Sequence, residues 1–223
     1  GDAGNVTIFG QSGGGSKVAV VMATPRAKGL FHKAIIQSSS SHLQLATPES
    51  AARSTHALLK ALNLEGKGPE AVQKTTAEAL IKAYNTAVKA RNGNDSFRPL
   101  VDGRTIFNHP FDLSAPDLAS DIPIMVGSCE TEKSFYDITA EPDKLALNED
   151  QLHDQIASFV GVDAEQAKAL IAGYQDGRPG LSGRDTYNLI TSDHMYRRNN
   201  VEAVVRKVKQ GGAPAYLYEF TWK

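Results

Sequence analysis

The sequence predicts an α/β protein whose mainly parallel sheet is flanked by helices. Two observations carry that prediction. Four short apolar or β-rich runs, at residues 6–9, 34–38, 122–127 and 215–221, are separated by stretches with helical periodicity, the pattern of strands joined by crossover helices. The first run also ends in Gly10-Gln11-Ser12-Gly13-Gly14-Gly15 and leads into a compact apolar segment, which reads as strand, sharp turn, helix.

Taken in order, Val6-Thr7-Ile8-Phe9 is the first strand, and residues 17–23 form a buried helix closed ahead of Pro25. Ala34-Ile35-Ile36-Gln37-Ser38 is a second buried strand, bounded by the polar run 38–41. Thr47 is placed as an N-cap, Pro48 takes the first helical position, where its missing N–H is harmless, and Glu49 puts an acid in the first turn. Ala52, Thr55, Leu58, Leu59 and Leu62 keep helical spacing to about Leu64, and residues 66–69 break it. A helix over 78–90 leads to a polar loop at 91–96. Ile122-Pro123-Ile124-Met125-Val126-Gly127 is the third buried strand. Helices follow at 148–160, where Asn148 and Gln151 are spaced as a capping box, and at 164–173. A loop rich in Gly and Pro spans 176–183, a last helix over 201–209 ends at Gly211-Gly212, and residues 215–221 alternate as the fourth strand. No repeat or compositional break divides the chain, so residues 1–223 are read as one partial domain.

Bulk properties narrow the function. Hydrophobic residues make up 41% and charged residues 22% of the 223, an ordinary balance for a packed globular core. Lys and Arg total 24 against 25 for Asp and Glu, and no basic stripe stands out, which argues against nucleic acid as a partner. The longest apolar stretch, near 18–23, falls far short of the roughly 20 residues a bilayer span needs. Cys129 is the only cysteine, so the chain has no internal disulfide, and no Cys/His cluster suggests a structural metal. The chain begins at Gly1 without a signal-like segment, which reads as trimming and leaves its localisation unassigned.

Gly10-Gln11-Ser12-Gly13-Gly14 satisfies G-x-S-x-G, the nucleophile elbow, in which serine sits on a strained turn between strand and helix. Glycines two residues to either side are expected because side chains there would strike neighbouring backbone. The competing readings are a plain glycine-rich turn or a phosphate-cradling loop. Dinucleotide and P-loop fingerprints fit poorly, for neither G-x-G-x-x-G nor a Gly-Lys-Ser/Thr ending is present. A nucleophilic serine needs a base, an orienting acid and oxyanion donors, here in the chain order serine, acid, histidine. Gly127-Ser128-Cys129-Glu130-Thr131-Glu132-Lys133 supplies two carboxylates directly after the third strand, and position alone does not choose between Glu130 and Glu132.

Residues 1–14, Gly1-Asp2-Ala3-Gly4-Asn5-Val6-Thr7-Ile8-Phe9-Gly10-Gln11-Ser12-Gly13-Gly14, closely resemble the elbow region of the type B carboxylesterases. The resemblance continues through Gly29-Leu30-Phe31-His32-Lys33-Ala34-Ile35-Ile36-Gln37-Ser38, Pro99-Leu100-Val101-Asp102-Gly103, residues 127–136 and Ala213-Pro214-Ala215-Tyr216-Leu217-Tyr218-Glu219-Phe220. It implies an α/β-hydrolase fold that cleaves small-molecule carboxylic esters through an acyl-enzyme, with Ser12 as nucleophile and no cofactor. It also selects Glu132 as the acid, Gly13 as one oxyanion donor through its backbone N–H, and Ser38 as a serine supporting the triad; a strand-end serine bonding backbone is the other reading of Ser38. Thr131, Lys133, Gln11 and Gly13 depart from the family's usual residues.

The resemblance places the family's histidine base beyond the fourth strand, past the Trp222 position, and a second oxyanion loop ahead of the elbow; neither is found in the 223 residues. Of the six histidines, His32, His42, His56 and His109 read as surface or packing residues, and His153 falls in the first turns of an amphipathic helix. His194 follows Asp193, an attractive pairing for a substitute base, although neighbours on a helix face different directions. The expectation is an ester hydrolase represented in part and weak or inactive alone. A non-catalytic cholinesterase-like binding or adhesion domain is the alternative, and the retained Ser12 and Glu132 speak against it. Strands at both ends also predict self-association through exposed sheet edges.

Overall fold

In the computed structural model, which describes residues 1–89, 97–139 and 146–222, the predicted strands form one all-parallel sheet in the order β1 (Thr7–Gln11), β2 (Lys33–Gln37), β3 (Ile124–Cys129), β4 (Ala215–Phe220). The loop expected at 91–96 lies outside the described residues. Helices α1 (Gly13–Met22), α2 (Pro48–Ala61), α3 (Pro69–Gln73), α4 (Ala77–Lys89), α5 (Glu149–Val160), α6 (Ala164–Gln175), α7 (Gly183–Ser192) and α8 (Arg198–Gln210) accompany the sheet, with 3-10 segments at Pro25–Ala27, Asp117–Ala119 and Glu132–Thr139 and a π-turn, Asp193–Arg197, joining α7 to α8. Contacts divide the chain into two units, Gly1–Leu43 with Pro110–Lys223, and Gln44–His109.

In the larger unit, alternation along each strand sends one set of side chains into the core. Ala34 and Ile36 of β2 and Ile124 and Val126 of β3 are fully buried, where they meet Val18, Ala19 and Met22 of α1, Phe111 and Ala203 of α8. Val18, Ala19 and Met22 share one face of α1 because they are one and four residues apart. On the opposite sheet face Phe9, Ile35, Met125 and Tyr216 line up in register, one from each strand. That row is largely open: Phe9 is 73% and Tyr216 56% exposed. A second core joins α5, α6 and α7 through Leu152, Ile156, Ala167, Ile171 and Ile190.

Local hydrogen bonding sets the helix boundaries where the sequence predicts them. Thr47 caps α2 through the Ser50 N–H, with Pro48 at the first helical position. Asn148 and Gln151 cap α5 reciprocally. Gly211, at φ 74°, ends α8 in the left-handed conformation that glycine adopts without steric penalty. The sequence did not reveal α3 or α7, nor the π-turn that follows α7, and α1 starts at Gly13, four residues ahead of its expected start. In the smaller unit, α2 packs on α4 and Ala46 bridges Leu100. The Asp102 carboxylate there accepts the N–H groups of Arg104, Thr105 and Ile106, which holds its charge well below the usual carboxylate range.

Candidate active site

Ser12 stands between β1 and α1 with φ 55° and ψ −122°, a conformation that costs a non-glycine residue about 1–3 kcal/mol. Its N–H donates to Gln37 O at 2.8 Å, which fixes the turn to the end of β2. The side chain is exposed, as an elbow requires. The glycines divide the labour differently from the expectation. A Cβ on Gly10 would lie 2.4 Å from the Gly14 carbonyl, and one on Gly15 3.0 Å from the Ser39 Cβ, whereas one on Gly14 would meet nothing within 4 Å. The sharp approach of α1 to β1 therefore excludes side chains at 10 and crowds them at 15, while Gly14 contributes the backbone that Gly10 must clear.

Gly13 is the first residue of α1, and the N–H groups of a helix's first turn have no partner within the helix. The same turn carries Ser16, whose hydroxyl is shared between Ser39 at 2.9 Å and Ser41 at 2.8 Å. Ser38, at φ 48°, donates its N–H to Gly127 O at 2.8 Å and so ties β2 to β3 at the sheet's carboxyl end. Just beyond, His42 is buried with Nδ1 2.9 Å from Ser39 O and Nε2 3.2 Å from Asn199 O, and Asn199 Nδ2 donates back to Ser40 O. Burial holds the His42 imidazole below its ordinary pKa despite these two carbonyls.

These turns open on a cavity of about 740 Å³ lined by Gln11, Ser12, Ser38, the loop 129–132 and an aromatic wall. Ser12, Ser38, Glu130 and Glu132 thus share one cavity, and lining alone does not separate the two glutamates. Glu132 Oε1 accepts the Cys129 N–H at 2.7 Å, which anchors that carboxylate to the end of β3. Burial, and then the nearby Glu132 charge, push the Cys129 thiol up.

The wall comprises Phe135, Tyr136, Tyr196, Phe220 and Trp222. Tyr196 points inward from the π-turn, with its hydroxyl 3.5 Å from that of Tyr136; burial and that contact raise its pKa. No sequence pattern marked Tyr196 or the aromatics as neighbours of Ser12, because they come together only through the tertiary fold.

His194 is not brought to Ser12. No histidine lines the cavity, and His194 instead lines a separate groove, its ring edge-on to Phe159 at 6.0 Å. Asp193 lines that groove too. Asp193 is engaged elsewhere, accepting the Tyr174 hydroxyl at 2.5 Å. Among the described residues no group of three or more His, Cys, Asp or Glu side chains could hold a metal ion. No helix among them is long and apolar enough to cross a membrane.

The carboxylesterase family model matches residues 1–223. The para-nitrobenzyl esterase of Bacillus subtilis (strain 168) is 36% identical over 225 residues, covering 100% of this chain and 43% of that protein. Liver carboxylesterase 1 of Oryctolagus cuniculus is 24% identical over 244 residues, with 100% of this chain and 43% of that protein covered. Carboxylesterase EST55 of Geobacillus stearothermophilus superposes with a TM-score of 0.80 at 31% identity, covering 100% of this chain and 45% of that one. The parallel sheet, the helices and these neighbours agree on the α/β-hydrolase fold. The chain spans less than half the length of the relatives it matches. It belongs to the carboxylesterase family.

Proposed function

We propose that the 740 Å³ cavity is the acyl-transfer site of a carboxylic ester hydrolase, with Ser12 as its nucleophile. The observation that carries this reading is Ser12 on a strained elbow opening on the cavity that Glu132 also lines. Ser12 Oγ attacks the ester carbonyl, the alcohol leaves with a proton, and water releases the acid from the acyl-enzyme. The Gly13 N–H is one donor to the oxyanion, Glu132 orients the base, and Ser38, whose N–H ties β2 to β3 through Gly127 O, supports the triad from behind. The aromatic wall suits esters with an apolar acyl or alcohol group.

The base itself does not come from the described residues lining the cavity. We infer that it is supplied by sequence that the relatives carry outside the matched 43%. Removing a triad histidine lowers turnover on the order of a million-fold, so these 223 residues alone are expected to turn over esters very slowly.

The test is labelling with a fluorophosphonate, read by intact mass, on the chain and its Ser12→Ala variant. A slow single adduct, lost in the variant, is expected. An adduct of unchanged yield in Ser12→Ala would remove Ser12 as nucleophile. Turnover comparable with intact esterases would remove the inference about the base.

A further inference from the structure

The groove that holds His194 has a composition of its own. It measures about 630 Å³, lies between α6 and α8, and shares no lining residue with the Ser12 cavity. Its walls are aliphatic: Val160, Leu170, Ile190, Val201 and Val205. Val201 and Val205 are four residues apart on one face of α8, and they remain 39% and 43% exposed. The size falls within the range of pockets that enclose small organic ligands, about 300–1,000 Å³.

The charges around this apolar lining can be accounted for one by one. Asp193 accepts the Tyr174 hydroxyl at 2.5 Å and faces Arg197 at 3.7 Å. Arg197 reaches Glu219 at 2.9 Å. Glu202 is paired with Arg206. His194 is held below its ordinary pKa, first by burial and then by the Arg198 charge, so it brings no second cation at neutral pH. Arg198 is exposed and enters no ion pair among the described residues. One guanidinium is left uncompensated beside an aliphatic trough.

We propose that this groove binds an aliphatic carboxylate, its chain lying along Val160, Leu170, Ile190, Val201 and Val205 and its head group paired with Arg198. A guanidinium matches a carboxylate through two parallel hydrogen bonds, which favours this anion over a neutral head group. The aliphatic lining accounts for the other half of the ligand, since each methylene it buries is removed from water. The proposal is independent of catalysis at Ser12, and its failure leaves the esterase reading untouched.

Isothermal titration calorimetry with octanoate tests it, alongside acetate, which has the charge without the chain, and 1-octanol, which has the chain without the charge. Octanoate is expected to bind one-to-one, at least ten-fold more tightly than either control. Arg198→Gln and Val205→Asp are each expected to weaken octanoate at least ten-fold; both positions are solvent-exposed, and an unchanged melting temperature verifies that the variants fold. Equal affinity for octanoate and either control, wild-type affinity in Arg198→Gln, or no octanoate binding at millimolar concentration each overturns the assignment.

Discussion

The close approach of β1 and α1 makes Gly10→Ala the most direct probe of the elbow. The new methyl would sit 2.4 Å from Gly14 C and O and 2.9 Å from Gly15 N, where ordinary contact begins near 3.4 Å. The helix must retreat by about 1 Å, and the atoms in the way are backbone, which has no rotamer with which to yield. Overpacking of this kind costs about 1–3 kcal/mol. Gly10 has no positive φ, so alanine is tolerated conformationally and recovers about 0.4–1 kcal/mol by restricting the unfolded chain. The net loss is about 1.3 kcal/mol, which for a chain of this size lowers the melting temperature by roughly 3–5 °C. A 1 Å displacement of the serine should also slow fluorophosphonate labelling about 100-fold. Gly14→Ala is the matched control, since its methyl meets nothing within 4 Å and should leave the melting temperature unchanged or raised. Calorimetry on both variants decides. A Gly10→Ala protein as stable as the parent, or a Gly14→Ala protein that loses more, would refute the claim that backbone proximity dictates the motif.

Other expectations rest on the buried polar groups and the open sheet face. Lys207 is almost fully buried, its ammonium donating to Ala119 O, Ser120 O and Gln210 Oε1; Lys207→Ala removes these charge-assisted bonds, leaves Ala119 O and Ser120 O with only the Ile122 and Ala213 N–H groups, and should cost about 1–3 kcal/mol in a denaturant titration. His42 has its folded pKa below that of the unfolded chain, so the unfolded state takes up a proton first as pH falls below about 6.5, and stability declines with falling pH. His42→Gln should flatten that slope by up to about 1.4 kcal/mol per pH unit, and denaturation at pH 7.5, 6.5 and 5.5 measures it. Self-association through the edge strands should appear as concentration-dependent elution from a sizing column. Phe9→Lys, which places a charge on β1, should reduce it; an unchanged profile would locate the contact elsewhere.

The features legible in the sequence are those decided by neighbours along the chain. The Ser12 elbow showed itself because its glycines answer a backbone constraint a few residues wide, and the caps at Thr47 and Asn148 because their hydrogen bonds close within one turn. Helix α7 stayed hidden for a physical reason. It buries Thr186, Asn188, Thr191 and Ser192 beside Ile190, which dilutes the apolar period that marks a helix. Two of those hydroxyls are satisfied inside the segment itself, Thr186 on Ser182 O and Thr191 on Tyr187 O, a solution that becomes visible only once the helix is formed. The π-turn was hidden as well, and with it the separation of Tyr196, in the Ser12 cavity, from Asp193 and His194, in the other groove. The aromatic wall draws on Phe135 and Trp222, 87 positions apart in sequence, which no local pattern can join.

The sheet also bears on how such a protein can change. Ser12, Ser38, Glu132 and Trp222 each follow the carboxyl end of a different strand, while Ile36, Ile124 and Val126 hold the core from within the strands. Residues that line the cavity and residues that keep the chain folded therefore occupy separate stretches of each strand-and-loop unit. Variation in the loops can reshape the cavity without eroding the margin of stability, so changes in what the cavity accommodates and selection for folding can proceed with little interference.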